Sequence, residues 1–387
     1  KIVQFTDCHL KHAVKGNDVH TLEIMRGILR KEQPNLVVFS GDNIEGKALA
    51  TAEACFRMQS EVFGVAAEAG VPWAAILGNH DVLGGATARQ LIEHAAGLPL
   101  SLTQAGPSHL PGCGNYSLPI YQSTGSSRVH TRLIFMDTKS DVDAPGAAPD
   151  APPRLGKASI PLDAGQYEPV SVAQVTWLKD ELAATRSDVA GSVLFLHIPQ
   201  PEWRTGWYLS PTVGVKGERV SSPLLSSGVV ATAAQGGARA LFCGHDHVND
   251  YTTQVDGVTL GYGRVTGWSC DGFRGKNSFV RGARVIELSR DGSMATRVVL
   301  GADATPCDSP NRVAGGGLWA PFTAVAHRIE TDTAIQVVPL IVLSILCPPI
   351  GFVLILLLWY QHRQSVHRTQ RVARAAEWCT RATPAQL

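Results

Sequence analysis

Short, almost wholly apolar runs recur along the chain, each ending in glycine or a polar cluster. They read "KIVQFTD" (1–7), "NLVVFSGD" (35–42), "WAAILGNHD" (73–81), "SVLFLH" (192–197) and "ARALFCGHDH" (238–247). Between them the pattern predicts helices around 18–32, 47–69, 85–96, 171–185 and 224–235. Continuous apolar runs alternating with helices predict strands buried on both faces, in an α/β layout. The rhythm changes in the middle, where "NYSLPIY" (115–121) and "TRLIFMD" (131–137) flank a Ser/Gly turn and predict adjacent antiparallel strands. Residues 139–168, rich in Pro, Ala, Gly and Asp, predict a long surface loop, and strand-like runs continue to about residue 300. No internal repeat at solenoid spacing is apparent.

One stretch breaks this layout. Residues 334–360, "AIQVVPLIVLSILCPPIGFVLILLLWY", carry no formal charge and are almost wholly apolar. At about 1.5 Å per residue this length crosses a bilayer core of about 30 Å with some tilt. Pro339, Pro348 and Pro349 would kink it, which transmembrane helices tolerate better than soluble ones. The tail at 361–387 carries five arginines against one acid, Glu377, whereas residues 318–333 hold Arg328 against Glu330 and Asp332. The positive-inside rule then predicts a single-pass protein with its tail on the cytosolic, matrix or stromal side. The large N-terminal part is expected on the luminal, extracellular or intermembrane side, joined by a linker over 301–333. Because Lys1 already begins a strand, the sequence reads as a processed or trimmed chain.

Composition adds little beyond exclusions. The 387 residues carry a formal net charge of +1, so nothing points to nucleic acid as a partner. The eight cysteines form no framework: Cys347 and Cys379 lie in the span and tail, and Cys8 and Cys243 are expected as buried thiols. A disulfide, if one forms, would involve Cys113, Cys270 or Cys307. Asn115-Tyr-Ser117 is a glycosylation sequon if the domain is luminal, and equally the start of a strand.

The chemistry lies at the strand ends. Asp7 and His9 close the first run, Asp42 the second within "SGDN", and Asn79, His80 and Asp81 the third within "GNHD". His197 closes "SVLFLH", and His245 and His247 close "LFCGHDH". Open α/β sheets bind ligands outside the carboxyl ends of their strands. Five separate strand ends delivering Asp, His or Asn to one edge form a metal-type constellation.

In order, the blocks DxH, GDx, GNHD, a lone His and GHxH resemble the calcineurin-like metallophosphoesterase superfamily. The flanking "HIP", "VSSPLLSSG" and "GHDHVND" look most like its short plant and fungal branch related to purple acid phosphatases. The resemblance covers roughly residues 1–300 and implies a four-layer αββα sandwich there, with the transmembrane helix appended. It also implies two divalent or trivalent metal ions, of Fe, Mn or Zn. Asp7, His9, Asp42 and His247 would hold one, and Asp42, Asn79, His197 and His245 the other, with Asp42 bridging. His80 would stand outside the coordination shell and protonate the leaving oxygen, with Asp81 orienting its ring. Purple acid phosphatases carry a tyrosine ligand three residues after the bridging aspartate; here that position is Glu45, so no iron–tyrosinate colour is expected.

The expected function is therefore a membrane-anchored dinuclear-metal phosphoesterase, in which a metal-bridging hydroxide attacks a phosphate ester. A phosphatase is favoured over a phosphodiesterase. Two alternatives stand: a phosphodiesterase acting on lipid or glycolipid headgroups, and an accessory subunit of a membrane assembly that retains the metal site. For the substrate, the segment 199–220 is expected to overhang the site, offering Trp203, Arg204, Trp207, Tyr208, Lys216 and Arg219, with 261–268 as a second wall.

Overall fold

In the computed structural model the described residues are 1–12, 16–138, 167–184, 190–270 and 279–301, plus the backbone of 306–307. The chain divides into two compact units, Lys1–Ala320 and Pro321–Leu387, and the second lies outside the described residues. Among the described residues no helix is long and apolar enough to cross a membrane; the expected span at 334–360, its linker and its tail fall outside them.

In the first unit the strands β1 (Ile2–Phe5), β2 (Leu36–Ser40) and β3 (Trp73–Ile76) run parallel. The helices α1 (Asn17–Glu32) and α2 (Ala52–Glu68) connect them, and α3 (Ala88–Gly97) follows. The antiparallel β4 (Tyr116–Tyr121) and β5 (Val129–Phe135) come next, then α4 (Val172–Ala184), β6 (Ser192–Phe195), α5 (Pro201–Leu209), β7 (Thr212–Val213) and α6 (Val229–Gln235). The chain closes with β8 (Ala238–Cys243), β9 (Thr252–Val255), β10 (Val258–Tyr262), β11 (Gly282–Leu288), β12 (Met294–Leu300) and β13 (Pro306–Cys307). Two sheets result among the described residues, ordered β13-β12-β11-β1-β2-β3 and β4-β5-β6-β8-β10-β9-β7.

Alternation along each strand decides the layering. Ile2, Leu36, Val38 and Ala74 of the first sheet face Leu133, Phe135, Val193, Phe195 and Phe242 of the second in one core. The opposite residues, Val3, Phe5, Val37 and Phe39, pack under Met25, Ile28, Val62 and Phe63 of α1 and α2. On the far side Leu194, Leu241 and Leu260 pack under Leu178, Leu182, Val230 and Trp203 of α4, α6 and α5. The order is helix, sheet, sheet, helix. Both faces of each inner strand are buried, which is why its sequence is a continuous apolar run.

The predicted antiparallel pair is present, but several boundaries shift for local reasons. The helix expected from residue 47 begins instead at Ala52, because the Thr51 hydroxyl accepts from the Ala54 N–H at 3.2 Å and caps it. The helix expected from 224 begins at Val229, after Gly228 takes a left-handed φ of 82°. The segment 199–220, expected as an overhanging loop, instead contains α5 and β7. Its Trp203 is fully buried in the second sheet's outer core, and Trp207 packs on Tyr251, so neither belongs to a substrate wall. Most of the 261–268 wall is likewise scaffold, with Tyr262 buried against Asp246 and Arg264 paired with Asp250.

Two alternatives left open by the sequence are answered. Cys113 and Cys270 are free thiols, and the Cys307 side chain lies outside the described residues. The Asn115 amide is buried and fully engaged: its oxygen accepts from the Asp137 N–H at 3.1 Å and Gln174 at 3.1 Å, and its nitrogen donates to the Pro111 carbonyl at 3.2 Å. It is a structural residue at the start of β4, not an accessible sequon.

The first sheet is pinned by an aromatic cluster, in which the fully buried Phe39 ring lies 4.9 Å from Phe63, 5.8 Å from Trp73 and 5.9 Å from Phe5. Phe39→Ala should destabilise the domain by about 3–5 kcal/mol. Urea unfolding should show a lower midpoint at unchanged slope; a loss below 1 kcal/mol would mean the layer refills the cavity.

Candidate metal centre

The site forms where the parallel strands of the two sheets end on one edge. Past β1 the chain stays bonded to the segment beyond β2: Asp7 N–H donates to Gly41 at 3.0 Å, His9 N–H to Asp42 at 2.9 Å and Leu10 N–H to Asn43 at 3.2 Å. Gln4 ties the two sheets together just below, donating to Ser40 at 2.8 Å and to the Cys243 carbonyl at 3.1 Å. Four side chains that leave these ends do so from a left-handed backbone: Asp7, His9, Asp42 and His245 have φ of 54°, 49°, 50° and 77°. Non-glycine residues held there cost of order 1–3 kcal/mol each and cluster at functional sites.

The motif glycines provide room. A Cβ on Gly41 would overlap the His197 ring, one on Gly78 would overlap Asp42, and one on Gly244 would overlap Thr6. At these close approaches six of the predicted ligands, Asp7, His9, Asp42, His197, His245 and His247, come together.

Two donor groups share Asp42. Ligand atoms of Asp7, His9, Asp42 and His247 lie within 4.8 Å of one another, as do those of Asp42, His197 and His245. His9 Nε2 is 3.3 Å from His247 Nε2 and 3.6 Å from Asp42 Oδ2, while His197 Nε2 is 3.1 Å from the same oxygen. His197 Nδ1 donates to the Ser40 carbonyl at 2.8 Å, which turns Nε2 toward Asp42. Asp7 accepts from Thr6 at 2.7 Å and from the His245 N–H at 3.0 Å.

Electrostatics in the site are severe. Burial alone would raise the Asp42 carboxyl, but His197, His80 and His9 outweigh it and hold it well below the usual carboxylate range. Burial, reinforced by the neighbouring His197, pushes His245 down to about 3. For His80 the carboxylates of Asp42 and Glu45 outweigh burial and raise it to about 9.

The donor set fits cations. Asn79 Oδ1 and both ring nitrogens of His245 are buried without a hydrogen-bond partner, and among the described residues Asp42 Oδ2 meets only the His197 and His9 rings. Orphaned polar atoms of this kind are costly unless something binds them. Carboxylate, amide and imidazole donors together suit Zn, Mn or Fe.

The role expected of Asp81 is corrected. Its carboxylate accepts from the Gly78 N–H at 2.7 Å, the Ile44 N–H at 2.9 Å and the Asn43 amide at 3.2 Å, so it stitches two loops together. It opens the short 3-10 turn Asp81–Leu83 and is fully buried. Glu45 holds the His80 ring instead, with Oε1 3.1 Å from His80 Nδ1 and Oε2 3.0 Å from His9 Nδ1. Sequence reasoning noted Glu45 only as the absence of tyrosine. Its signal in the sequence is an acid three residues after Asp42, in the short turn between β2 and α2.

Residues 1–249 match the calcineurin-like phosphoesterase family. The chain is 30% identical over 317 residues to the protein named probable inactive purple acid phosphatase 29 of Arabidopsis thaliana, covering 74% of this chain and 76% of that one. It is 28% identical over 279 residues to phosphatase DCR2 of Saccharomyces cerevisiae, covering 66% of this chain and 45% of that one. Among solved structures, Plasmodium GAP50, described as the anchor in the inner membrane complex, aligns with a TM-score of 0.50 at 15% identity. That alignment covers 79% of this chain and 85% of GAP50, a likeness of fold.

Because Glu45 orients both His9 and His80, its removal should be felt at both. Glu45→Ala should reduce metal affinity or turnover by roughly 10–100-fold, the range for an outer partner of a ligating histidine. Metal titration and steady-state kinetics measure the two effects separately; unchanged values in both would reduce Glu45 to a surface cap.

Proposed function

The chain belongs to the calcineurin-like phosphoesterase family, and from that premise we propose that it is an active dinuclear-metal phosphoesterase acting on phosphate monoesters. The observation that carries the reading is Asp42, a buried carboxylate common to two donor groups, beside which both His245 ring nitrogens and the Asn79 oxygen are buried without a hydrogen-bond partner. Two phosphatases among the relatives favour a monoester. One of them is named as probably inactive, but here aspartate, asparagine and histidine occupy every expected ligand position. An anchor at 334–360 belongs to the same reading, supported by its uncharged length alone.

Asp7, His9, Asp42 and His247 would hold one cation, and Asp42, Asn79, His197 and His245 the second. When bound, two cations neutralise the phosphate oxygens and lower the pKa of an attacking water. Asn79 adds a ligand without adding negative charge, which leaves the site more attractive to an anionic ester. His80 donates a proton to the leaving oxygen. The bond from Glu45 to its Nδ1 fixes the ring, so that Nε2 is the position that serves the substrate. Asp81 keeps the loop bearing Asn79 and His80 closed against the Asp42 loop.

Metal analysis of the purified chain, with hydrolysis of a generic aryl monoester and diester, tests the reading. Asp42→Ala should lose at least one metal and nearly all hydrolysis; a variant that keeps two ions and full activity would falsify the assignment. Diester hydrolysis alone would move the reading to a phosphodiesterase, and two bound ions with neither ester hydrolysed would move it to an accessory subunit.

His80→Ala should leave metal content near normal while lowering kcat by about 10²–10⁴-fold. The loss should shrink for esters whose leaving groups need no proton. Equal losses across leaving groups would remove the general-acid role.

A further inference from the structure

A ligating histidine nearly always has its second ring nitrogen hydrogen-bonded, and that bond sets the angle of the ring. Two histidines of the site follow the rule. His197 Nδ1 donates to the Ser40 carbonyl at 2.8 Å, and His9 Nδ1 lies 3.0 Å from Glu45 Oε2. His245 does not: both of its ring nitrogens are buried without a hydrogen-bond partner. Its backbone is fixed, because the His245 N–H donates to the Asp7 carboxylate at 3.0 Å, but that bond leaves the side-chain torsions free. Two rings meet the imidazole in place of a polar partner. The Tyr167 ring lies 4.7 Å away at 90°, and the His197 ring 5.3 Å away at 77°. Perpendicular ring contact has a preferred geometry, since the positive edge of one ring faces the negative face of the other. We propose that Tyr167 is a positioning residue that holds the His245 imidazole at the angle from which it coordinates the second cation; this rests on the two-cation reading.

The residues that follow anchor Tyr167 in turn. Val170 is buried in the core beneath α4, in the cluster that holds Leu178 and Leu196. Ser171 and Gln174 cap the start of α4 reciprocally: the Ser171 N–H donates to Gln174 Oε1 at 3.2 Å, and the Gln174 N–H donates to the Ser171 hydroxyl at 3.3 Å. The Gln174 amide then donates to the Asp137 carbonyl at 2.6 Å and to Asn115 at 3.1 Å, which ties the helix start to the ends of β4 and β5. Tyr167 therefore stands just before a fixed helix start, and the fold sets the place of its ring. An aliphatic side chain would fill the same space without a preferred angle to the imidazole. The ring carries the role, so phenylalanine should serve in its place and leucine should not.

Cobalt(II) titration of the full chain, followed by its visible ligand-field bands, tests the role, with His245→Ala marking which of the two ions is the second. Tyr167→Leu should weaken that ion by about 3–10-fold and shift its bands while the first ion is unchanged, and Tyr167→Phe should match wild type. Equal weakening of both ions, no weakening, or a loss in Tyr167→Phe as large as in Tyr167→Leu overturns the role of Tyr167 and leaves the two-cation reading standing. The contact itself is measured with no variant to fold: NMR of the metal-free wild-type chain should show cross-relaxation between the Tyr167 and His245 rings, and its absence also overturns the role. A wild-type chain that binds fewer than two ions overturns the two-cation reading and this role with it.

Discussion

Two carboxylates, Asp7 and Asp42, are buried side by side where β1 and β2 end, among the imidazoles of His9, His197, His245 and His247. Burying like charges together is among the most costly arrangements a protein can hold, because each carboxylate loses water and repels the other. The histidines answer part of this. They outweigh the effect of burial on Asp42 and keep it ionised. What they do not reach are the Asn79 oxygen and the two His245 nitrogens, which are buried without partners. The site is thus organised around positive charge that the chain does not itself supply.

The scaffold follows from that need. Four left-handed backbone positions, at Asp7, His9, Asp42 and His245, turn side chains out of strands that would otherwise send them alternately to the two faces. Gly41, Gly78 and Gly244 bring the loops of both sheets into contact where any Cβ would overlap a neighbour. A second set of acids takes no direct part in either shared donor group. Asp81 accepts two backbone N–H groups and the Asn43 amide, and burial followed by repulsion from Asp42 raises it to about 7. Asp246 is also raised to about 7 by burial and then Glu218, while it accepts from Ser221, Asn249 and Tyr262. These acids fix loops; Glu45 fixes rings.

Much of this was legible in the sequence because burial on both faces writes an unmistakable apolar run. The strands β1, β2, β3, β6 and β8, and the polar residues that close them, could be read directly. Side-chain direction beyond the strand end could not. Asp81 follows His80 in sequence, which suggests a partner, yet Asp81 accepts from Gly78, Ile44 and Asn43 while the His80 ring is held by Glu45. Glu45 reaches His80 from 35 positions away because the two loops are stacked, a relation no local pattern encodes. The segment 199–220 failed for another reason: Pro201 at the first turn of α5 starts a helix whose single fully buried aromatic, Trp203, belongs to the core of the second sheet. Aromatics in a loop-like stretch look like a binding wall until their burial is known.

On the proposed assignment the two cation positions are unequal, and the inequality is electrostatic. The position formed with Asp7 and His247 has two carboxylates, Asp7 and Asp42, and Glu45 supports its His9 from behind. The position formed with His197 and His245 has only the shared Asp42, with neutral Asn79 beside it. His245 is held neutral by burial and by the charge of His197, so its nitrogens are ready to coordinate without first losing a proton. On that assignment a cation at the first position would meet two carboxylates, and one at the second would meet one carboxylate with an amide and two imidazoles. The same asymmetry bears on the proposed chemistry: the less neutralised cation would leave more positive charge for an anionic ester, on the side of the site where the proposed function places Asn79 and His80.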